Sequence, residues 1–272
     1  MKKIANHKLI SRYWLYLVAL LLMLLFLFFR FYQIDQSLLF FNDIGRDFLV
    51  LWQWQQSGKP PLLGPQTSAL PFNQSAFYFY YLYPFYLFTN GWEYATLIAC
   101  AAAYLVAFAL GLYCLRQRPL WQKSLLLVFA LLSIHPQFVL QQRFVWNPSF
   151  LPLFLIAAFY LFLELEQRFR AQKSWPACLV AAFALSLAAA TALSYSALPA
   201  MAAFLLVALF LFRRRAWLLY LASIPALAVV NLPTLIFELR HNFLLTQMML
   251  SREKLPQDAN YLSAKLSSLQ NY

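Results

Sequence analysis

Charge is scarce in this chain. Only 11% of its 272 residues are charged, where a soluble domain carries about 25%. Such a deficit excludes a surface that faces water on all sides. Cysteine is scarce as well. Cys100, Cys114 and Cys178 lie in or beside apolar runs, and no CxxC pair occurs, so no disulfide framework is indicated. Five glycines supply no Gly/Ser linker. Neither GxxxxGK[ST] nor GxGxxG is present, which leaves nucleotide binding by a phosphate loop unsupported, and no GxSxG elbow occurs. His135 has no second histidine at metal-ligand spacing, so no zinc site is supported.

What fills the chain is apolar. Hydrophobic residues make up 63%, and charge-free runs cover Tyr13–Phe29, Tyr94–Leu115, Ser124–Gln142, Phe144–Leu163, Ser174–Phe212 and Ala216–Phe237. A helix needs about 20 apolar residues to cross the hydrocarbon core. The 174–212 run is long enough for two crossings, with Ser194, Tyr195, Ser196 and Pro199 marking a turn. These runs are too long and uniform for barrel strands. In lipid a helix satisfies its own backbone hydrogen bonds. The expected fold is therefore all-α, a polytopic transmembrane helix bundle. Its seven spans fall at about 13–32, 92–115, 119–135, 148–164, 175–193, 197–212 and 216–232. The first is read as a retained signal anchor, since no small-residue cleavage site follows it.

Basic residues set the orientation. Lys2, Lys3, Lys8 and Arg12, then Arg116, Arg118 and Lys123, then Arg168, Arg170 and Lys173, then Arg213, Arg214 and Arg215 all fall on one side of this layout. That side is expected to be cytoplasmic, with the chain in the inner (plasma) membrane and its N-terminus inside. The net charge of +12 then reflects topology and anionic membrane lipids, with no nucleic-acid partner. Glu164 and Glu166 join the cytoplasmic side. Asp35, Asp43, Asp47, Glu93, Glu238, Glu253 and Asp258 fall on the other.

The longest outer segment is the first loop, residues 33–91, inside a core of residues 1–232. Residues 233–272 form an extracytoplasmic tail that reads as a loop cut short. The loop has an acidic part, a Pro/Gly turn (GKPPLLGP, 58–65) and the aromatic stretch AFYFYYLYPFYLF (76–88). Tyrosine-rich apolar sequence favours the headgroup level, so a helix at the outer interface is expected there. The acidic part reads as a helix with Asn42 as N-cap and Gly58 at its C-terminal end. At 100° per residue, Asp43, Arg46, Asp47, Val50 and Trp54 share one face, and Ile44, Phe48, Leu51 and Trp52 another.

Two carboxylates one turn apart have three uses. They cap a helix, bind a divalent cation, or supply a general base and its tuning partner. Asp43 near a helix N-terminus is favourable for dipole reasons alone. Arg46 on the same face adds a bidentate group suited to phosphate. Asp43 and Asp47 permit a divalent cation without demanding one. A second polar cluster, QQRFVWNP at 141–148, faces the same compartment and contributes Arg143 and Asn147, with interfacial anchoring beside Trp146 as the other reading of Arg143. Glu238, Arg240 and His241 form a third. The spans themselves hold almost no ionisable groups, which argues against an ion-coupled transporter.

The order of these pieces resembles the GT-C membrane glycosyltransferases, in particular the aminoarabinose-transferase and protein O-mannosyltransferase group (glycosyltransferase family 39-like). The resembling pieces are NDIGRD (42–47), GKPPLLGP, YFYYLYPFY, RFVWNPSFLPLF (143–154) and FELRHNF (237–243). The resemblance covers the chain in layout and matches the N-terminal part of such enzymes. It implies transfer of a hexosyl or pentosyl group from a polyprenyl-phosphate donor to a lipid, protein or polysaccharide acceptor outside the membrane. By position, Asp43 matches the family's base and Arg46 a donor-phosphate contact. Beside these matches, Arg143 is expected as a second donor-phosphate ligand, and Asp47 and Asn147 as supporting or cation-binding residues. Ile44 stands where many members have glutamate, and Asn147 where some have a second acid. Two other readings remain open: a non-catalytic protein of the same fold that binds lipid-linked sugars or assists assembly, and a facilitator for lipid carriers.

Overall fold

The computed structural model describes residues 2–38, 41–66 and 73–250, with side chains described from Tyr13 to Gln247 apart from the gaps. Glu253 and Asp258 lie outside the described residues. The chain begins with α1 (Lys2–Phe31) and α2 (Asn42–Ser57), then a hairpin of β1 (Leu63–Gln66) and β2 (Asn73–Ser75), then α3 (Phe77–Phe88). After these come α4 (Tyr94–Cys114), α5 (Pro119–Ile134), α6 (Pro136–Gln141), α7 (Leu151–Arg170) and α8 (Ala177–Leu193). The remaining described helices are α9 (Leu198–Phe212), α10 (Ala216–Val230), α11 (Leu232–Arg240) and α12 (Leu244–Leu250). Helix dominates as expected, and the small hairpin is the one departure among the described residues.

Four stretches are long and apolar enough to cross a membrane: Tyr13–Phe31, Tyr94–Cys114, Asn147–Arg170 and Tyr195–Val230. The chain is a helical membrane protein. The last stretch bends back on itself at Arg213–Arg215, where Arg213 takes a positive φ of 50°, so it contains both α9 and α10. The apolar helices α5 and α8 are shorter, at 16 and 17 residues. Large apolar side chains point outward from α1, including Trp14, Leu20, Leu21 and Phe28. That exposure suits a surface whose solvent is lipid.

Small residues bring the helices together. Ala184, Ala188 and Ala192, four apart on α8, are buried against Ala226 and Val230 of α10. Alanine at that spacing lets two backbones approach closely, the usual device where lipid removes the hydrophobic drive for helix association.

Charges gather at the two ends. At one end, Arg116 grips Glu164 through both Nη atoms at 2.9 Å, and Arg168 reaches the same carboxylate at 2.9 Å. Arg118 and Arg170 both pair with Glu166. Arg215 donates to the Lys173 carbonyl at 2.9 Å. The three basic segments after α4, α7 and α9 thus meet at one end of the bundle. The loops expected on the opposite side also converge, at the far end. Ser75 Oγ donates to Val230 O at 3.2 Å, and Phe237 and Leu245 pack with Leu62, Leu63 and Tyr195. The segment after residue 232, expected to lack compact structure, folds back as α11 and α12. Glu238 receives Leu245 N at 2.8 Å and Thr246 N at 3.1 Å, which caps α12.

Arg30, in the last turn of α1, is wholly buried. Its Nε donates to Gln142 Oε1 at 2.6 Å, Nη2 to Leu132 O at 2.6 Å and Nη1 to Ser133 O at 2.7 Å, and its guanidinium lies 3.9 Å over the Phe26 ring. Leu132 and Ser133 are at the C-terminal end of α5, where carbonyls lack helical partners and the helix dipole is negative. The pair also shows that α1 and α5 run parallel. Removing a buried, fully bonded cation leaves those carbonyls open, a loss on the order of 3 kcal/mol. Arg30→Ala is expected to lower the unfolding temperature of the detergent-solubilised protein markedly, with Arg30→Lys recovering little because it lacks the planar fork. An unchanged melt for Arg30→Ala would contradict this role.

Candidate functional site

The site is built on α2. Its first turn is entered from Phe41 in extended conformation, and Asn42 is already helical with no side-chain cap, so the expected cap at Asn42 shifts by one residue. Sequence rules place helix ends only to within a residue or two. The expected stop is found: Gly58 has φ 68°, a left-handed geometry that glycine adopts without strain, and its N–H reaches Trp54 O at 2.8 Å.

The faces of α2 differ from expectation. Ile44, Asp47, Phe48 and Leu51 are buried, while Trp52 is exposed. Asp47 was expected with Asp43 and Arg46 on the open face, opposite the face of Ile44, Phe48, Leu51 and Trp52 that was expected to rest on the membrane surface. The neighbour decides this. Helix α3 presents Tyr78, Phe79, Leu82 and Tyr86 to α2, and Trp54 stacks on Tyr83 with centroids 3.8 Å apart. That stacking turns the 47–54 edge inward. Helix α3 itself is about 18 Å long by helical rise, too short to cross, and one side of it is buried.

Three charges then meet at the boundary between the buried wall and the open face. Arg46 Nη1 bonds Asp43 Oδ1 at 2.9 Å. Its Nε and Nη2 bond Asp47 Oδ1 at 3.0 and 2.8 Å. The Asp43 and Arg46 side chains are 41% and 40% exposed, and Asp47 is 0% exposed. Asp47 Oδ2 has no partner of good geometry among the described residues, and neither has the Tyr78 hydroxyl. Tyr78 is near enough to act on the Asp47 carboxylate. Burial pushes the Asp47 carboxyl up to about 6, only partly offset by the Arg46 charge and its hydrogen bonds. Burial beside Asp47 pushes the Tyr78 phenol well above its ordinary range.

The other expected site residues stand apart from this trio. Arg143 Nη2 donates to Phe29 O and Tyr32 O, each at 2.7 Å, and Nη1 to Ser37 Oγ, which ties α6 to the end of α1. Asn147 is buried and donates to Gln74 Oε1 in the hairpin, with a longer contact to Leu193 O at 3.5 Å. Among the described residues no hydrogen bond or ion pair joins Arg143 or Asn147 to Asp43, Arg46 or Asp47. His241 stacks on Phe237 and its Nδ1 lies 2.9 Å from Phe237 O. The arrangement does not suit a cation held between Asp43 and Asp47, because the Arg46 guanidinium occupies that position. No group of three or more potential metal ligands occurs among the described residues.

Sequence reasoning passed over Gly64. A Cβ there would stand 2.0 Å from Ser75 O, so only glycine lets β1 approach β2. Strands of four and three residues show no alternation that would announce them. Reasoning also passed over Tyr78, one tyrosine among many in a uniform aromatic run, and Arg30, where an arginine closing a charge-free run is ordinarily read as an interfacial anchor.

Comparison with family models, curated proteins and solved structures returns no match.

A raised carboxyl means that the folded state holds the Asp47 proton more tightly than the unfolded chain. Stability is therefore lost as pH rises from the ordinary carboxylate range through about 6. The full displacement corresponds to about 3 kcal/mol at ~1.4 kcal/mol per unit. Asp47→Asn is expected to melt higher than wild type at about pH 8, with the gap closing near pH 4. A gap that is constant with pH would contradict a buried, titrating Asp47.

Proposed function

We propose that this chain is a membrane glycosyltransferase of the GT-C type, moving a sugar from a polyprenyl-phosphate donor to an acceptor on the extracytoplasmic face. In this reading α1, α4, α5, α7, α8, α9 and α10 are the seven spans. The ends bearing Arg116, Arg168 and Arg213 face the cytoplasm with the N-terminus, and α2, the hairpin and α3 form the outer face. The observation that carries the reading is the half-exposed pair Asp43 and Arg46, one turn apart on α2 and bonded at 2.9 Å. It lies over a wall of aromatic side chains, at a loop far from the paired bases of the other end.

The chemistry asks for these two groups. The acceptor O–H or N–H attacks the anomeric carbon, and Asp43 takes its proton. The bond from the anomeric carbon to the phosphate oxygen breaks, and its electrons leave with polyprenyl phosphate. The leaving group then gains one negative charge, which a guanidinium stabilises without a proton. Arg46 supplies that charge once the phosphate draws it away from Asp43, so donor binding also frees the base. Direct displacement would invert the anomeric centre, as the resemblance implies. Arg143 and Asn147 serve in this reading as the frame that holds α1, the hairpin and α8 around the outer face.

Sugar transfer in membranes or proteoliposomes tests the reading. Asp43→Asn is expected to lose about 10²–10⁴-fold in rate, the usual worth of a positioned base, with folding and donor binding retained. Arg46→Ala is expected to weaken donor binding. Transfer by Asp43→Asn at the wild-type rate sinks the assignment. Donor binding with no transfer by the wild-type protein, across lipid, protein and polysaccharide acceptors, would point instead to the non-catalytic reading.

A further inference from the structure

We propose that an anionic phosphodiester binds at Arg46 together with one proton, and that Asp47 is the group that takes it up. The inference rests on the glycosyltransferase reading of the same site. With both carboxylates ionised around one guanidinium, the trio carries a net charge of −1, so an approaching phosphodiester meets repulsion as well as Arg46. Adding the ligand would place −2 beside an aromatic wall. One proton relieves this.

The geometry selects where that proton goes. Asp43 is 41% exposed, so water can solvate its charge when Arg46 turns to the ligand. Asp47 is fully buried beside Ile44, Phe48 and Leu51, and Arg46 supplies both hydrogen bonds to Oδ1 and the only opposite charge, with the Tyr78 phenol as the one other group that favours the ionised form. A buried carboxylate that loses part of its counter-charge neutralises itself by binding a proton. A hydroxyl that can turn from donor to acceptor is within reach of the resulting acid: Tyr78 acts on the Asp47 carboxyl, and neither Asp47 Oδ2 nor the Tyr78 hydroxyl has a partner of good geometry among the described residues. The charged and titratable groups around Asp47 are Arg46 and Asp43 on α2 and Tyr78 on α3, with Cys100 of α4 behind the phenol. The carboxyl already titrates near 6 without ligand, so little further push is needed at neutral pH. Asp47 is on this account a positioning residue. It sets how freely Arg46 meets phosphate and never touches the sugar.

The probe is a glycosyl phosphodiester of a short-chain polyprenol, which has no second acidic proton to confuse the titration. Its affinity for the detergent-solubilised protein is measured from about pH 5.5 to pH 8, and calorimetry in buffers of different ionisation heat counts protons. Wild type is expected to weaken on the order of a hundredfold across that range, because an obligatory proton costs up to tenfold per pH unit above the carboxyl's titration near 6. It should take up about one proton at pH 8 and almost none at pH 5. Asp47→Asn is expected to bind with nearly constant affinity and no proton uptake. If that variant does not fold, the wild-type proton count decides alone, and uptake near zero at pH 8 overturns the proposal. Binding that is independent of pH in wild type also overturns it while leaving the glycosyltransferase reading intact, as does a pH dependence that survives Asp47→Asn. Absence of binding at every pH overturns both.

Discussion

Lipid cannot hydrogen-bond, and that constraint organises the molecule. Polar groups that enter the bundle must bring their own partners. Arg30 meets it by donating to carbonyls at the end of α5 and to Gln142. Arg143 meets it one step further out, on the carbonyls of Phe29 and Tyr32. Each arginine satisfies a helix end that would otherwise hold open acceptors, and the two together pin α1 to α5 and α6. That junction fixes where α1 ends and hence where the first loop begins. Helix α2 leaves from there, so the position of Asp43 and Arg46 depends on it.

The same constraint acts differently on Asp47. Here a carboxylate is driven into an aromatic wall because its helix neighbours Ile44, Phe48, Leu51 and Trp54 pack there. One guanidinium serves it, and that guanidinium is shared with Asp43. The packing that orders α2 also leaves a carboxylate short of partners. Strain of this kind marks functional sites more often than structural ones.

Much of the layout was legible in the chain. Long charge-free runs announced the apolar helices, Gly58 announced the end of α2, and the basic segments after residues 115, 167 and 212 announced which helix ends would meet. These are local signals, carried by composition and periodicity within one segment. The partition of α2 was not legible. Helical spacing shows which residues share a stripe, but the width and direction of the packed stripe depend on what lies opposite. The packing of α2 on α3, with Trp54 stacked on Tyr83 29 positions away, buries Asp47. The hairpin was hidden for a similar reason, since its register depends on Gly64 meeting Ser75 and on Ser75 reaching Val230.

By itself, then, the sequence determined a helical membrane protein with its bases clustered in alternate loops and three of its nine acids in the first loop, because apolar length and charge placement are properties of each segment alone. Only the tertiary structure decided that Asp43, Arg46 and Asp47 are unequal. One carboxylate is wet, one is buried, and the arginine between them is divided, because burial and ion pairing belong to the surfaces that meet.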